Sequence, residues 1–195
     1  MKESLRKHLR VQRRSLSAAE YSLRSTRAAK AVSRLPMFKA GRRIALYLPF
    51  DRETDTTKLI AEARRRGLQV FVPVIVDRRH SRIRFFPLGS KTERGVFGIA
   101  VPSTLSRPMP SRWLNLIVVP LVGVDSVGRR LGMGGGFYDR VLDFRRHRSH
   151  WAGPHLVGFA FDCQRTESNF AEPWDVRLDS LATESGLQRF LANAP

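Results

Sequence analysis

The chain has 195 residues, 42% of them hydrophobic, which is enough for one buried core and too few for two ordinary domains. Its formal net charge of +18 favours anionic ligands such as nucleotides, polyglutamates or nucleic acid. The longest apolar run, residues 116–124, is interrupted by Pro120 and Gly123 and is too short for a membrane span, which needs about 20 residues. Composition therefore predicts a soluble, single-domain protein over residues 1–195.

The compartment expected from the sequence is the cytosol. The N-terminal segment has no apolar stretch typical of a secretory signal, and Cys163 alone can form no internal disulfide. A mitochondrial transit peptide is the alternative, because residues 1–34 hold ten Lys or Arg against Glu3 and Glu20. Arginine supplies 29 of the 35 basic residues, and these are scattered without a block typical of a nucleic-acid-binding arm.

The first elements in chain order are two helices. Residues 3–14 carry one apolar stripe between basic positions, which predicts a short helix. Ser17 and Glu20 have the spacing of a capping box and predict the start of a second helix over residues 21–35. The pair predicts an N-terminal helical hairpin.

Short apolar runs then alternate with helical patterns. Strands are predicted at residues 43–49, 68–76, 83–86, 116–124 and 156–161. Helices are predicted at residues 56–66 and 137–146, and the proline-rich residues 102–112 indicate an extended surface connection. This order predicts a three-layer α/β/α fold with a mostly parallel sheet, whose ligands gather at the carboxyl ends of the strands.

A glycine-rich loop at residues 128–136 separates a predicted strand from a predicted helix. Its glycines can adopt positive φ and let the backbone approach a ligand, while Arg129 and Arg130 can add charged hydrogen bonds to an anion. The loop lacks the Gly-Lys-Ser/Thr ending of a Walker A motif, and Phe137 occupies the last glycine position of GxGxxG. The pattern alone leaves two interpretations open, a phosphate-binding loop and a flexible loop whose glycines only serve turns.

The sequence GRRLGMGGGFYDR at residues 128–140, preceded by the strand LIVVPLVGVD, resembles the signature of the 5-formyltetrahydrofolate cyclo-ligase family. Weaker segments follow in the family's order: KESLR at 2–6, YLPFDRETDT at 47–56 and WDVRLDSLATE at 174–184. The resemblance implies an enzyme that uses ATP and Mg²⁺ to convert 5-formyltetrahydrofolate to 5,10-methenyltetrahydrofolate, with release of ADP and phosphate. It also implies that the γ-phosphoryl group is transferred to the formyl oxygen.

The resemblance assigns roles to individual residues. ATP is expected to contact Lys2, Arg6, Arg130, Leu131, Gly132, Met133, Gly134, Gly135, Gly136, Phe137 and Tyr138. The folate is expected to contact Leu48, Glu53, Met133, Gly134, Gly135, Gly136 and Phe137. Arg130 and Asp139 are the expected catalytic residues, and Asp139 and Asp179 are the expected Mg²⁺ ligands.

Each assignment competes with a structural interpretation. Lys2 and Arg6 share one helix face and could simply be solvated charges. Glu53 could be a turn residue before a helix cap, and Asp139 could serve the dipole of its helix. One departure from the family pattern is Gly135, where some members carry a lysine. Candidates for stacking on the pterin, which could equally be core or rim residues, are Phe137, Trp151 and Trp174.

Two other functions remain open at this stage. A non-catalytic relative could bind RNA or nucleotide through the basic surface, and a different phosphotransferase could use the same loop. The favoured interpretation is a monomeric enzyme whose partners are ATP and 5-formyltetrahydrofolate, the latter in polyglutamated form. Neither a membrane nor a nucleic acid is expected as a partner.

Overall fold

The computed structural model describes residues 1–146, 153–167, 170, 172 and 175–190. Its helices are α1 (Lys2–Arg14), α2 (Ala18–Val32), α3 (Thr57–Arg65) and α4 (Phe137–Leu142). Its strands are β1 (Arg43–Ala45), β2 (Gln69–Asp77), β3 (Arg82–Pro87), β4 (Thr92–Arg94), β5 (Ala100–Pro102), β6 (Leu116–Pro120), β7 (Gly123–Val124), β8 (Arg130–Leu131), β9 (His155–Phe159), β10 (Ser180–Thr183) and β11 (Gly186–Arg189). Within these residues, no helix is both long enough and apolar enough to cross a membrane.

Seven strands of the described chain form one sheet in the order β11-β10-β9-β6-β1-β2-β3. The five inner strands are parallel, and β3 and β11 are antiparallel at the two edges. Only residues 78–81 join β2 to β3, and a parallel crossover needs a dozen residues or more, so this connection can only form a hairpin. The predicted mostly parallel α/β sheet is confirmed.

Alternate side chains of the central strands point to opposite faces of the sheet, as strand geometry requires. Ile44 and Leu116 pack with α2 and α3 on one face. Ala45 and Ile117 pack with α4 on the other face. Helices therefore cover both faces, and the predicted three layers are present.

Two helices begin the chain, as predicted. The capping box of α2 forms, because the Ser17 side chain accepts a hydrogen bond from the Glu20 N–H while the Glu20 carboxylate accepts one from the Ser17 N–H at 2.9 Å. α2 packs on the central sheet, whereas Leu9 of α1 packs on a separate small cluster that includes Leu131. α1 thus lies over the glycine-rich region.

The predicted strand at residues 116–124 is two strands. β6 ends at Pro120, and β7 pairs with β8 in a separate antiparallel hairpin. The Asp125 carboxylate accepts hydrogen bonds from the Val127 and Arg129 N–H groups at the tip of this hairpin. Gly123 permits close approach of α1, because an added Cβ would lie 2.5 Å from Leu9 Cδ1. The first part of the predicted glycine loop is therefore a folded hairpin held beneath α1.

Candidate active site

A cavity of about 910 Å³ lies at the carboxyl ends of the parallel strands. Its lining includes Tyr47 and Leu48, which follow β1, and Leu121, which follows β6. β2 lies on one side of β1 and β6 on the other, so the sheet order switches direction at this point. Ligands of open α/β sheets bind in the crevice outside such a switch point. The fold therefore places the cavity where a substrate site is expected.

The glycine-rich segment forms one wall of this cavity. Gly132 through Gly136 all line it. Gly134 and Gly136 have φ of 101° and 64°, a left-handed region that favours glycine. A Cβ at Gly135 would lie 2.7 Å from Phe137 Cε2, so a side chain there would displace the ring. Backbone and ring are thus packed closely at the point where a ligand would meet them.

Arg130 and Asp139 form an ion pair at the base of the loop. One guanidinium nitrogen of Arg130 donates to Asp139 Oδ1 at 2.7 Å and another donates to the Val176 carbonyl oxygen at 3.1 Å. Arg130 is only 6% exposed, and its guanidinium lies 6.0 Å from the centre of the Tyr138 ring. A buried, paired cation in the wall of the cavity can neutralise charge that develops on a bound phosphoryl group.

α1 brings its two basic residues to the same wall. Arg6 Nε donates to the Gly132 carbonyl oxygen at 2.8 Å, and Lys2 Nζ donates to Glu172 Oε1 at 2.6 Å. Lys2, Arg6 and Glu172 all line the cavity. Lys2 and Arg6 are therefore not free surface charges, because Arg6 fastens α1 to the glycine-rich loop and Lys2 pairs with Glu172.

Glu53 lies on the other side of the cavity in the turn that follows β1. Its Oε2 accepts a hydrogen bond from the Phe50 N–H at 3.1 Å, and its backbone carbonyl accepts one from the Tyr21 hydroxyl at 2.7 Å. Burial raises the pKa of Glu53 to about 7, although the Phe50 N–H and the charge of Arg13 oppose this shift. A carboxyl group with this pKa can change its charge near neutral pH.

Tyr47 and Tyr138 stand beside Glu53 as buried phenols. Burial, together with the charge of Glu53, raises the pKa of both hydroxyl groups. The Tyr47 hydroxyl donates to the Thr54 carbonyl oxygen at 2.7 Å, which anchors the turn that carries Glu53. Both phenols remain neutral donors at any physiological pH.

An apolar wall completes the cavity and was not predicted from the sequence. It comes from β4, β5 and the turn between them, which lie outside the main sheet. The cavity residues of this hairpin are Gly95, Val96, Phe97, Ile99 and Val101. The hairpin follows β3 without a strong strand pattern of its own, so nothing in its composition distinguished it from a loop. Together with Met133 and Phe137 it can hold a flat ring system.

The acidic residues divide between two places. Asp139 and Asp175 line the cavity, whereas Asp179 lies at the amino end of β10, against Arg145 and His155. Asp179 accepts hydrogen bonds from Arg145 at 2.6 Å and from the Leu156 N–H at 2.7 Å. The structure therefore brings Asp139 to the predicted site and does not bring Asp179 there.

The carboxylates in the cavity can be compared with the ligands that a magnesium ion needs. No group of three or more His, Cys, Asp or Glu that could hold a metal occurs within the described residues. Mg²⁺ bound with a nucleotide usually needs only one or two carboxylates besides phosphate oxygens and water. Asp139 and Asp175 are two carboxylates in the cavity lining. The sequence analysis named Asp179 and not Asp175, although Asp175 is the one of the two that lines the cavity.

Comparison with known proteins decides the family. The profile of the 5-formyltetrahydrofolate cyclo-ligase family matches residues 1–184. The chain belongs to this family. The 5-formyltetrahydrofolate cyclo-ligases of Escherichia coli K12 and Haemophilus influenzae are each 32% identical to it, over 91% of this chain and 97% of theirs.

Solved structures agree with this cyclo-ligase assignment. The NMR structure of the 5,10-methenyltetrahydrofolate synthetase of Aquifex aeolicus has a TM-score of 0.81 and 29% identity, with coverage of 100% of this chain and 95% of that one. The synthetase of Mycoplasma pneumoniae, with a TM-score of 0.73 and 23% identity over 94% of this chain and 98% of its own, has the same fold. The protein is therefore a ligase of folate one-carbon metabolism, as its glycine-rich segment predicted.

Most residues assigned from the cyclo-ligase resemblance meet in the one cavity. Its lining contains Lys2, Arg6, Leu48, Glu53, Asp139 and every residue from Arg130 to Tyr138. Phe137, a candidate for stacking on the pterin, lines the cavity too. The other two candidates, Trp151 and Trp174, lie outside the described residues.

Proposed function

We propose that this cyclo-ligase converts 5-formyltetrahydrofolate to 5,10-methenyltetrahydrofolate in the cavity at the carboxyl ends of the strands, with ATP as co-substrate. The observation that carries the proposal is that one cavity joins a basic, glycine-rich wall to an apolar wall and a carboxylate. A nucleotide triphosphate needs the first wall, and a pterin needs the other two features. Family membership supplies the substrate and the product.

The chemistry explains why a phosphoryl donor is needed. Nitrogen 5 carries a formyl group, and the oxygen of this formamide is a poor leaving group. Attack of that oxygen on the γ-phosphorus of ATP expels ADP and leaves an iminium phosphate. Nitrogen 10 then adds to the formyl carbon and loses its proton, and departure of phosphate leaves the methenyl bridge between the two nitrogens. The protein has to align the reactants and neutralise charge.

Three basic residues suit the phosphate side of this reaction. Arg6 reaches the loop from α1, Lys2 pairs with Glu172 in the cavity lining, and Arg130 is held in the base of the loop. Arg130 is the residue best placed to stabilise charge at the transferring phosphoryl group, because burial weakens competition from water. Arg6 can exchange its contact with the Gly132 carbonyl oxygen for phosphate oxygens, and Lys2 can exchange its contact with Glu172 in the same way.

Asp139 and Asp175 would hold Mg²⁺ in this scheme. When bound with ATP, the ion neutralises phosphate charge and orients the triphosphate. In its absence Arg130 compensates the charge of Asp139. The pair fixes the Asp139 carboxylate within the cavity wall.

Glu53, Leu48, Met133 and Phe137 suit the folate side. An ionised Glu53 can accept two hydrogen bonds from the guanidine-like edge of a pterin. Leu48, Met133 and Phe137 offer apolar surface to the ring, and the raised pKa of Glu53 falls when a donor pair satisfies its carboxylate. Pterin binding therefore stabilises the charged form of this residue.

The proposal extends to the setting of the reaction. The net charge of +18 supports a preference for polyglutamated folate, because each additional glutamate adds negative charge. We place the enzyme in the cytosol, where its only cysteine, Cys163, would stay reduced, and we propose that it acts as a monomer.

The test is absorbance of the methenyl chromophore after mixing purified protein with 5-formyltetrahydrofolate, ATP and Mg²⁺. Three controls omit one component each. The proposal predicts an increase that requires both substrates and is lost on chelation of Mg²⁺. Folded protein that gives no increase, or an increase without ATP, would contradict it.

A further inference from the structure

Arg13 is a buried cation that the proposed reaction does not use directly. Its side chain is 1% exposed, although it stands on α1 among exposed arginines. One of its terminal guanidinium nitrogens donates to the backbone carbonyl oxygen of Asp51 at 2.7 Å. Its Nε is buried and has no hydrogen-bond partner within the described residues. A buried guanidinium with an unused donor lowers stability, so the arrangement calls for a functional explanation.

The arginine holds a strained turn. Asp51 and Arg52 have φ of 51° and 57°, which residues with a Cβ rarely adopt. Arg10 and Arg14 also bind the Asp51 carboxylate, with Arg10 donating at 2.8 Å. Arg13 binds the same carboxylate at 3.3 Å, but it differs from these two because it is buried and also binds the backbone of the turn. The three arginines of α1 therefore stabilise the unusual backbone conformation of this turn.

Glu53 lies two residues after Asp51 in the same turn. The charge of Glu53 is felt at Arg13, because burial lowers the pKa of Arg13 while the carboxylates of Glu53 and Asp51 raise it. Arg13 in turn lowers the pKa of Glu53 against the effect of burial. The titratable and charged groups that face Glu53 are Arg13, Tyr21, Tyr47, Asp51 and Tyr138. Arg13 is the buried cation in this set.

We propose that Arg13 is a positioning residue for folate binding, which fixes the cavity-facing Glu53 carboxylate by holding the turn that carries it. The inference rests on the proposed role of Glu53 in holding the pterin. Arg13 itself contacts no substrate in this scheme. Through the turn, Arg13 fixes the position of the Glu53 carboxylate. Its positive charge also lowers the pKa of that carboxylate.

The same contact links the two halves of the cavity. α1 carries Lys2 and Arg6 near its first turn and Arg13 near its last turn. Arg6 contacts the glycine-rich wall, Lys2 contacts Glu172 in the cavity lining, and Arg13 contacts the turn on the folate side. One helix thus sets the distance between the phosphate contacts and the pterin contact.

The first test compares Arg13→Met with the control Arg14→Met. Both remove one positive charge and two hydrogen bonds to Asp51 from α1, but Arg14 is 50% exposed and binds only the carboxylate of the turn. We expect Arg13→Met to raise KM for 5-formyltetrahydrofolate about tenfold or more, since a charged hydrogen bond at a buried site is lost, and to change KM for ATP less than about twofold. Arg14→Met is expected to leave both within about twofold.

The second test is a double-mutant cycle with Glu53→Gln. If Arg13 acts through Glu53, Arg13→Met adds less than about a twofold change in KM for the folate once Glu53 is replaced. An equal effect of Arg13→Met in the presence and absence of Glu53 would overturn the proposal, because it would show a purely structural role. Arg13→Lys, which restores the charge, is expected to recover part of the affinity.

The pH profile gives a third readout. Loss of Arg13 removes a cation that lowers the pKa of Glu53. In the wild type, folate affinity is expected to fall as the pH drops below about 7 and Glu53 becomes protonated; in Arg13→Met this acidic limb should move to higher pH. An unchanged limb would contradict the proposal. The profile is recorded by calorimetric binding of 5-formyltetrahydrofolate, which needs no turnover. Absence of turnover in the wild type would then count against the proposed function alone.

If Arg13→Met does not fold, Arg13→Gln replaces it in all three tests.

Discussion

The carboxyl group of Glu53 titrates near neutral pH, because burial outweighs the Phe50 N–H and Arg13. Its ionised form costs stability and, in the proposed role of Glu53, contributes affinity when a pterin donates to it. This opposition is common in binding sites, where a group is held in a state that only the ligand satisfies. The two effects can be measured separately.

Glu53→Gln is expected to stabilise the unliganded protein at alkaline pH. The folded-state pKa of about 7 lies above the ordinary value of 4.5, so wild-type stability from this group is present below pH 4.5 and is lost as pH rises through 7. The variant should therefore gain about 1–3 kcal/mol at pH 8 and almost nothing at pH 4.5. Urea unfolding at several pH values measures the difference. An advantage of the variant that shrinks as pH rises would show that the charged form is not disfavoured.

Asp139 can be tested against a nearby aspartate. Asp139→Asn keeps the shape of the side chain but removes the charge that pairs with Arg130 and would hold Mg²⁺. Turnover should fall about 100-fold or more, with a thermal midpoint close to that of the wild type. Asp143→Asn, which changes a 51% exposed side chain outside the cavity, is the control and should retain activity. Full activity of Asp139→Asn at saturating Mg²⁺ would remove Asp139 from the site.

At the scale of elements, the glycine-rich wall depends on the contact between Gly135 and the Phe137 ring. The helix that follows, α4, has only six residues, so its dipole contributes less than the sequence suggested. Basic side chains from α1 and β8 supply the positive charge in its place. The wall is therefore made from three elements that are distant in sequence.

Gly135→Ala tests the close packing of this wall. The added Cβ would lie 2.7 Å from Phe137 Cε2, so the ring or the loop must move. We expect KM for both substrates to rise and kcat/KM to fall about tenfold or more, because the ring and loop face the same cavity. Gly89→Ala is the control, because a Cβ there meets nothing within 4 Å. Equal kinetics for the two variants would show that the loop tolerates a displaced Phe137.

The sequence was informative where pattern and chemistry are local. Periodicity predicted α1, the capping box predicted the start of α2, and alternating elements predicted the mostly parallel sheet. The hairpin of β7 and β8 was not predicted, since two-residue strands leave no period. The cavity face of β4 and β5 was also missed, because it depends on how that hairpin folds over the sheet.

The site shows the same division. A resemblance could assign Glu53 and Asp139, whose cavity positions remain consistent with those roles. It could not separate Asp175 from Asp179, because only the fold shows which of two carboxylates, four residues apart, faces the cavity. Nor could it identify Arg13, which resembles its exposed neighbours until its burial is known.

For the whole molecule, the order of strands places the cavity at the switch point beside β1, and α1 closes one side of it. Family membership supplies the substrate, and the cavity supplies a basic wall, an apolar wall and a carboxylate. The central claim is that ATP activates the formyl oxygen by phosphorylation. The net charge of +18 attracts both anionic substrates without determining the reaction.

The most direct measurement follows the formyl oxygen. 5-Formyltetrahydrofolate labelled with ¹⁸O in its formyl group is converted in ordinary water with ATP and Mg²⁺, and the phosphate released is analysed by mass spectrometry. The account predicts one ¹⁸O atom in each phosphate formed, because the oxygen leaves bonded to phosphorus. Unlabelled phosphate, with the ¹⁸O found in water, would show that ATP hydrolysis is separate from cyclisation and would contradict the account.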